Sequence, residues 1–111
     1  MSHKITIDEV LSNPKILEFV RKVKELYPAK VFLVAGTVRR GWTEHDLDIT
    51  IEVVEGQDGS ELKEFLATLS DWKDKTSEFG CRVRLPEFPL KIDIGDMDHS
   101  KTKGAEVEIK I

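Results

Sequence analysis

Asp46 and Asp48 stand two residues apart in Asp46-Leu47-Asp48-Ile49, and Asp93 lies far downstream between Ile92 and Ile94. Residues at i and i+2 of a strand leave the same face, so the first two carboxylates point one way while the apolar residues between and after them turn to a core. If the strand of Asp93 neighbours theirs, with Asp93 roughly beside Asp48, three carboxylates meet. Such a cluster repels itself without cations and suits hard, oxygen-preferring ones. A pair of Mg²⁺ ions would relieve the repulsion, bridge the oxygens of a triphosphate and support in-line attack on its α-phosphate. Upstream, Val31-Phe32-Leu33-Val34-Ala35 is followed by Gly36-Thr37-Val38-Arg39-Arg40-Gly41. A glycine admits a phosphate close to the backbone, amides at the start of a short helix from Val38 favour an anion, and Thr37 adds a hydroxyl. Arg39 and Arg40 are either phosphate partners or solvated turn residues.

The elements that must position these residues follow from periodicity. Thr6-Ile7-Asp8-Glu9 has the form of a capping box, and Asn13-Pro14 interrupts or restarts the helix. Ile16, Phe19, Val20, Val23, Leu26 and Tyr27 then recur at three- and four-residue steps, an amphipathic helix stopped by Pro28. Val31 to Ala35 reads as a strand covered on both faces and ended by Gly36. Asp46 to Val54 alternates, with Leu47, Ile49, Ile51 and Val53 on one side, as a half-buried strand does. Gly56 to Gly59 predicts a turn, and Ser60 a cap for a helix striped by Leu62, Phe65, Leu66 and Leu69 and finishing near Asp71. Thr76 to Leu85 and Leu90 to Gly95 predict a hairpin around Pro86-Glu87-Phe88-Pro89. Glu106 to Ile111 predicts an edge strand guarded by charge. The expected class is α+β: a mixed sheet of about four to five strands with helices packed on one face.

Composition narrows the rest. The chain has 111 residues, 40% of them hydrophobic, which fits one domain over 1–111 with a modest core. A single cysteine, Cys81, excludes an internal disulfide and reads as a small buried hydrophobe; an intracellular, cytoplasmic setting is expected. No apolar run approaches the roughly 20 residues that span a bilayer. A net charge of −4 argues against an extensive nucleic-acid surface. His45 is expected in an exposed loop, His3 and His99 carry little signal, and Asp96 and Asp98 read as turn formers past Gly95. Trp42 either stacks on a base or covers the end of the core, the latter being the expectation.

Taken together, Gly36-Thr37, then Asp46-Leu47-Asp48-Ile49, then Ile92-Asp93-Ile94 resemble the DNA polymerase beta-like nucleotidyltransferase superfamily. Glu78-Phe79-Gly80-Cys81-Arg82-Val83, leading into Lys91-Ile92-Asp93-Ile94, is similar to the strand pair that delivers the third acid in small prokaryotic members. The likeness runs from about residue 14 to residue 98. It implies the nucleotidyltransferase fold and transfer of a nucleoside monophosphate from a triphosphate to a hydroxyl on a protein, RNA or small molecule. It also implies that Asp46, Asp48 and Asp93 hold Mg²⁺, or Mn²⁺ in its place, with Asp93 helping to activate the acceptor hydroxyl. Gly36 and Thr37 would cradle the triphosphate, and Arg39 or Arg40 would neutralise its charge. A compact helical protein or another copy of the chain is the partner this likeness suggests. Thr37 stands where the family has Ser or Gly, and only eight residues lie between it and Asp46, a short connection for the family. That departure motivates a second reading, a non-catalytic nucleotide-binding or protein-interaction domain of the same fold.

Overall fold

A computed structural model describes residues 4–70 and 77–111. A two-residue strand β1 (Ile5–Thr6) leads into helix α1 (Ile7–Ser12) and then α2 (Pro14–Leu26). Thr6 caps α1, its hydroxyl oxygen accepting from the Glu9 amide at 3.2 Å. Asn13 separates the helices: its Oδ1 accepts from the amides of Lys15 (2.8 Å) and Ile16 (3.3 Å), and Pro14 fills the first helical position, where no amide partner is needed. Ile16, Phe19, Val20 and Val23 are buried while Glu18, Arg21, Lys22 and Glu25 stay exposed, so the sequence periodicity is the packing face.

Strand β2 (Val31–Val34) passes directly into helix α3 (Ala35–Arg40), followed by β3 (Trp42–Thr43) and β4 (Asp46–Ile51). Helix α4 (Ser60–Leu69), strands β5 (Cys81–Arg84) and β6 (Lys91–Asp96), helix α5 (His99–Thr102) and strand β7 (Glu106–Glu108) complete the chain. Five strands form one mixed sheet in the order β5-β6-β4-β2-β7. Its pairs are antiparallel except β4 and β6, which run parallel. Leu47, Ile49 and Ile51 of β4, Val31 and Leu33 of β2, Ile92 of β6 and Val83 of β5 join the α2 stripe and Leu62 and Leu66 of α4 in one core. Each such side chain removed from water is worth about 2 kcal/mol. Phe19 and Phe65 stack across α2 and α4 with ring centroids 5.9 Å apart. The outer face of β2 is covered too, Phe32 meeting the His99 ring edge-on at 5.7 Å. The α+β class and the five-stranded mixed sheet thus match the periodicity, with α2 and α4 on the core face and the short α5 against the other.

Several boundaries differ, each for a local reason. β4 ends at Ile51, not Val54, because its register partner Val31 is the first residue of β2; beyond it Val53 is 40% exposed. Gly59, not Ser60, is the N-cap of α4: it is buried against Phe79, whose ring would lie 2.9 Å from any Cβ there, while Asp58 Oδ1 accepts from the Ser60 amide at 3.0 Å. β5 starts only at Cys81, because the amides of Glu78 (2.6 Å) and Phe79 (2.9 Å) donate to the Asp96 carboxylate and not to a neighbouring strand. Asp96 is therefore a clasp at the end of β6, not a turn former; Asp98 caps α5, accepting from the Ser100 amide at 3.0 Å. The short ladder of β1 with β3, pairing Ile5 with Thr43 and Thr6 with Trp42, was not anticipated. The expected helix end near Asp71, the strand start at Thr76 and His3 lie outside the described residues. Among the described residues no helix is long and apolar enough to cross a membrane.

Candidate functional site

Alternation along β4 sends Leu47, Ile49 and Ile51 to the core and Asp46 and Asp48 to the opposite face of the sheet. β6 does the same with Ile92 and Ile94 inward and Lys91 and Asp93 outward. The parallel register sets Asp46 beside Lys91 and Asp48 beside Asp93, so the structure brings the two acids level from separate parts of the chain. Their proximity has an electrostatic signature. The Asp48 carboxyl is pushed above its ordinary range, first by burial and then by the charges of Asp93 and Asp46, with Arg40 and Arg39 partly offsetting the rise.

A residue without an expected role completes this row. Arg82 on β5 is the register partner of Asp93 on β6. Its Nε donates to Asp93 Oδ1 at 2.6 Å and its Nη2 to Oδ2 at 3.2 Å, a two-pronged pair, and Nη2 also lies 3.8 Å from Asp46 Oδ2. The hydrogen bonds to Asp93, then the charges of Asp93 and Asp46, make the guanidinium hold its proton more firmly than usual. Part of the signal was present in the sequence: Arg82 and Arg84 occupy the outward positions of a strand that a hairpin loop pairs with Lys91 to Ile94. Register, not composition, reveals the contact.

Gly36 and Thr37 lie where β2 becomes α3. Val34 is still extended, and Ala35 takes φ 58°, a left-handed conformation that turns the chain at once into the helix. The helix expected from Val38 therefore begins at Ala35, and Gly36 and Thr37 belong to its first turn, with no open loop. The Arg40 side chain folds back over Gly36; a Cβ at Gly36 would come within 2.6 Å of Arg40 Nη1, so glycine is what allows that approach. Thr37 is fully buried, and its hydroxyl has no hydrogen-bond partner among the described residues. Arg39 is exposed, acting on Asp48 through its charge.

Asp46, Asp48 and Asp93 line a cavity of about 420 Å³ whose wall includes Arg40, Trp42 and His45. Trp42 departs from expectation: it is half-buried at this wall and outside the core, with Lys4 Nζ 4.4 Å and Arg40 Cζ 5.2 Å from its ring centroid. Its place is fixed by the pairing of β3 with β1. His45 is exposed, as expected, 3.8 Å from Glu44. Three carboxylates are the donor chemistry of a hard divalent cation. As they stand, however, no three acid, imidazole or thiol groups among the described residues are placed to hold a metal ion. Both oxygens of Asp93 are taken by Arg82.

No protein-family model matches the chain, and no curated protein matches it. Among solved structures it is similar to a CCA-adding enzyme determined as a complex with CTP, at a TM-score of 0.53 and 20% identity. The likeness covers 99% of this chain and 30% of that one. At this identity it shows the fold, which is nucleotidyltransferase-like.

Proposed function

We propose that the chain is a metal-dependent nucleotidyltransferase domain that moves a nucleoside monophosphate from a nucleoside triphosphate to a hydroxyl on a protein, RNA or small molecule. The observation that carries this reading is the row of Asp48 and Asp93 in register, with Asp46 beside them, at one cavity of a fold shared with an enzyme solved with CTP. Asp46 and Asp48 would hold Mg²⁺, or Mn²⁺ in its place, and Asp93 would complete the set. When bound, Mg²⁺ offsets triphosphate charge and the charge that develops on the leaving pyrophosphate.

The chain's own groups have separable parts in this reaction. Arg40 at the cavity wall and the exposed Arg39 would counter phosphate charge, as both already do at Asp48. Gly36 leaves room for a phosphate where the Arg40 side chain now rests. The Thr37 hydroxyl, fully buried and without a hydrogen-bond partner among the described residues, would have a donor to give to a triphosphate oxygen if the first turn of α3 opens toward the cavity. Asp93, once free of Arg82, accepts the proton of the acceptor hydroxyl as it attacks the α-phosphate. The acceptor itself would come from a helical protein partner, a second copy of the chain, or a small molecule.

A second reading is a nucleotide-binding or protein-interaction domain without turnover, favoured by the two-pronged hold of Arg82 on Asp93. Calorimetry with ATP, GTP, CTP and UTP, with and without Mg²⁺, joined to an assay of pyrophosphate release over candidate acceptors, separates the two. Mg²⁺-dependent binding with release supports transfer; binding without release across all acceptors supports the second reading. No Mg²⁺-dependent binding of any triphosphate rejects transfer and the nucleotide-binding form of the second reading, and leaves a protein-interaction domain.

A further inference from the structure

We infer that Arg82 is a built-in competitor for the cation site, which keeps divalent metal weakly held until a triphosphate arrives to take the arginine over. The inference rests on the proposed reading of Asp46, Asp48 and Asp93 as metal ligands. β6 lies between β4 and β5, so one row across the sheet runs Asp48, Asp93, Arg82. Arg82 occupies both oxygens of Asp93 and reaches Asp46 at 3.8 Å, and no ion pair within 4 Å is described for Asp48. A cation settling between Asp48 and Asp93 meets the Arg82 guanidinium already against Asp93 and 3.8 Å from Asp46. If Arg82 stays, it repels the cation and withholds the third ligand; if it leaves, its two-pronged pair is lost. Either way the metal binds more weakly than it would beside a neutral residue.

Departure is open to Arg82. Its side chain is 53% exposed, and β5 is the edge strand, so nothing among the described strands lies beyond it. A triphosphate at the cavity supplies what solvent does not: several anionic oxygens for which a guanidinium fork is shaped. Metal and nucleotide should therefore load together, each removing the obstacle to the other.

The test is a Mn²⁺ titration followed by electron paramagnetic resonance of the free ion, on wild type, Arg82→Gln and Arg84→Gln. Arg84 is the next outward arginine on β5, paired with Lys91, so its variant loses the same charge without touching Asp93. Without nucleotide, Arg82→Gln should bind Mn²⁺ about tenfold more tightly than wild type, the scale of one unit charge acting on a divalent ion at this range. Arg84→Gln should stay within about twofold, screened by water and salt. With a non-hydrolysable ATP analogue present, the gap between wild type and Arg82→Gln should close. Arg82→Met, which keeps the length of the stem, carries the same expectation should Arg82→Gln melt early in chelator. Equal, saturable Mn²⁺ affinities for wild type and Arg82 variants overturn the competition and leave the site reading standing. An absence of saturable binding by every protein, with or without the analogue, overturns both.

Discussion

Asp48 on β4 and Asp93 on β6 are register partners in the one parallel pair of the five-stranded sheet. A parallel partner cannot come from a tight hairpin; here α4 and β5 intervene, and the register is set by Leu47 against Ile92 and Ile49 against Ile94 in the core. A slip of one residue would bury the acids and expose the isoleucines. The hydrophobic pattern thus enforces the meeting of two like charges, which the fold tolerates because the core repays it.

That meeting makes stability depend on pH in a definite direction. Burial and the charges of Asp93 and Asp46 raise the Asp48 carboxyl above its ordinary 3.8. Between 3.8 and the raised folded value, the folded chain holds a proton that the unfolded chain has released. The Asp48 contribution to stability therefore falls as pH rises through that window, and the full repulsion remains above it. Asp48→Asn should stabilise the metal-free protein at neutral pH and remove this part of the slope. Urea midpoints in chelator from below pH 3.8 to neutrality check it; a variant with an unaltered slope and a lower midpoint contradicts it.

Asp96 offers a test of the fold that leaves the three acids in place. Its carboxylate takes the amides of Glu78 and Phe79, holding the fully buried Phe79 ring against Tyr27 at 5.0 Å. Asp96→Ala strands both donors and should cost about 2 kcal/mol. The reading is a lower urea midpoint with an unchanged m-value. A midpoint within error of wild type would mean those amides find other partners.

Much of this was legible in the residues, and the exceptions have physical causes. Alternation in Asp46 to Ile51 and Lys91 to Gly95, and the three- and four-residue steps of α2, are read directly because burial imposes them. That Asp93 should stand near Asp48 is only a condition in the residues, which the resemblance then favours, since periodicity says which face a residue takes and not which strand lies beside it. The Arg82–Asp93 pair was missed for a different reason: the hairpin names the neighbouring strand, but the loop from Pro86 to Pro89 leaves its register open. The β1–β3 ladder, two residues long, is too short to leave a pattern, and with it went the placement of Trp42 at the cavity. Left-handed backbone at Ala35 has no residue signature, since alanine disfavours it; the helix accordingly started earlier than its glycine suggested.

Thr37 separates stability from binding. A buried hydroxyl with no partner among the described residues costs stability, so Thr37→Val, similar in shape, should be neutral or stabilising by about 1 kcal/mol. If the hydroxyl serves a triphosphate, the same variant should bind Mg²⁺-nucleotide several-fold more weakly. Thermal unfolding and calorimetry on one sample read both. A clear loss of stability would show that the hydroxyl is paired in solution.

The claim on which the functional reading depends is that a divalent cation and a triphosphate meet at Asp46, Asp48 and Asp93. Anomalous scattering from a crystal soaked with Mn²⁺ and a non-hydrolysable triphosphate tests it most directly. A Mn²⁺ peak should lie in contact with the Asp46 and Asp48 carboxylates, with phosphate oxygens on its other side and Arg82 turned away from Asp93. A bound triphosphate whose Mn²⁺ lies clear of Asp48, or a saturated crystal with no peak at these three acids, contradicts it.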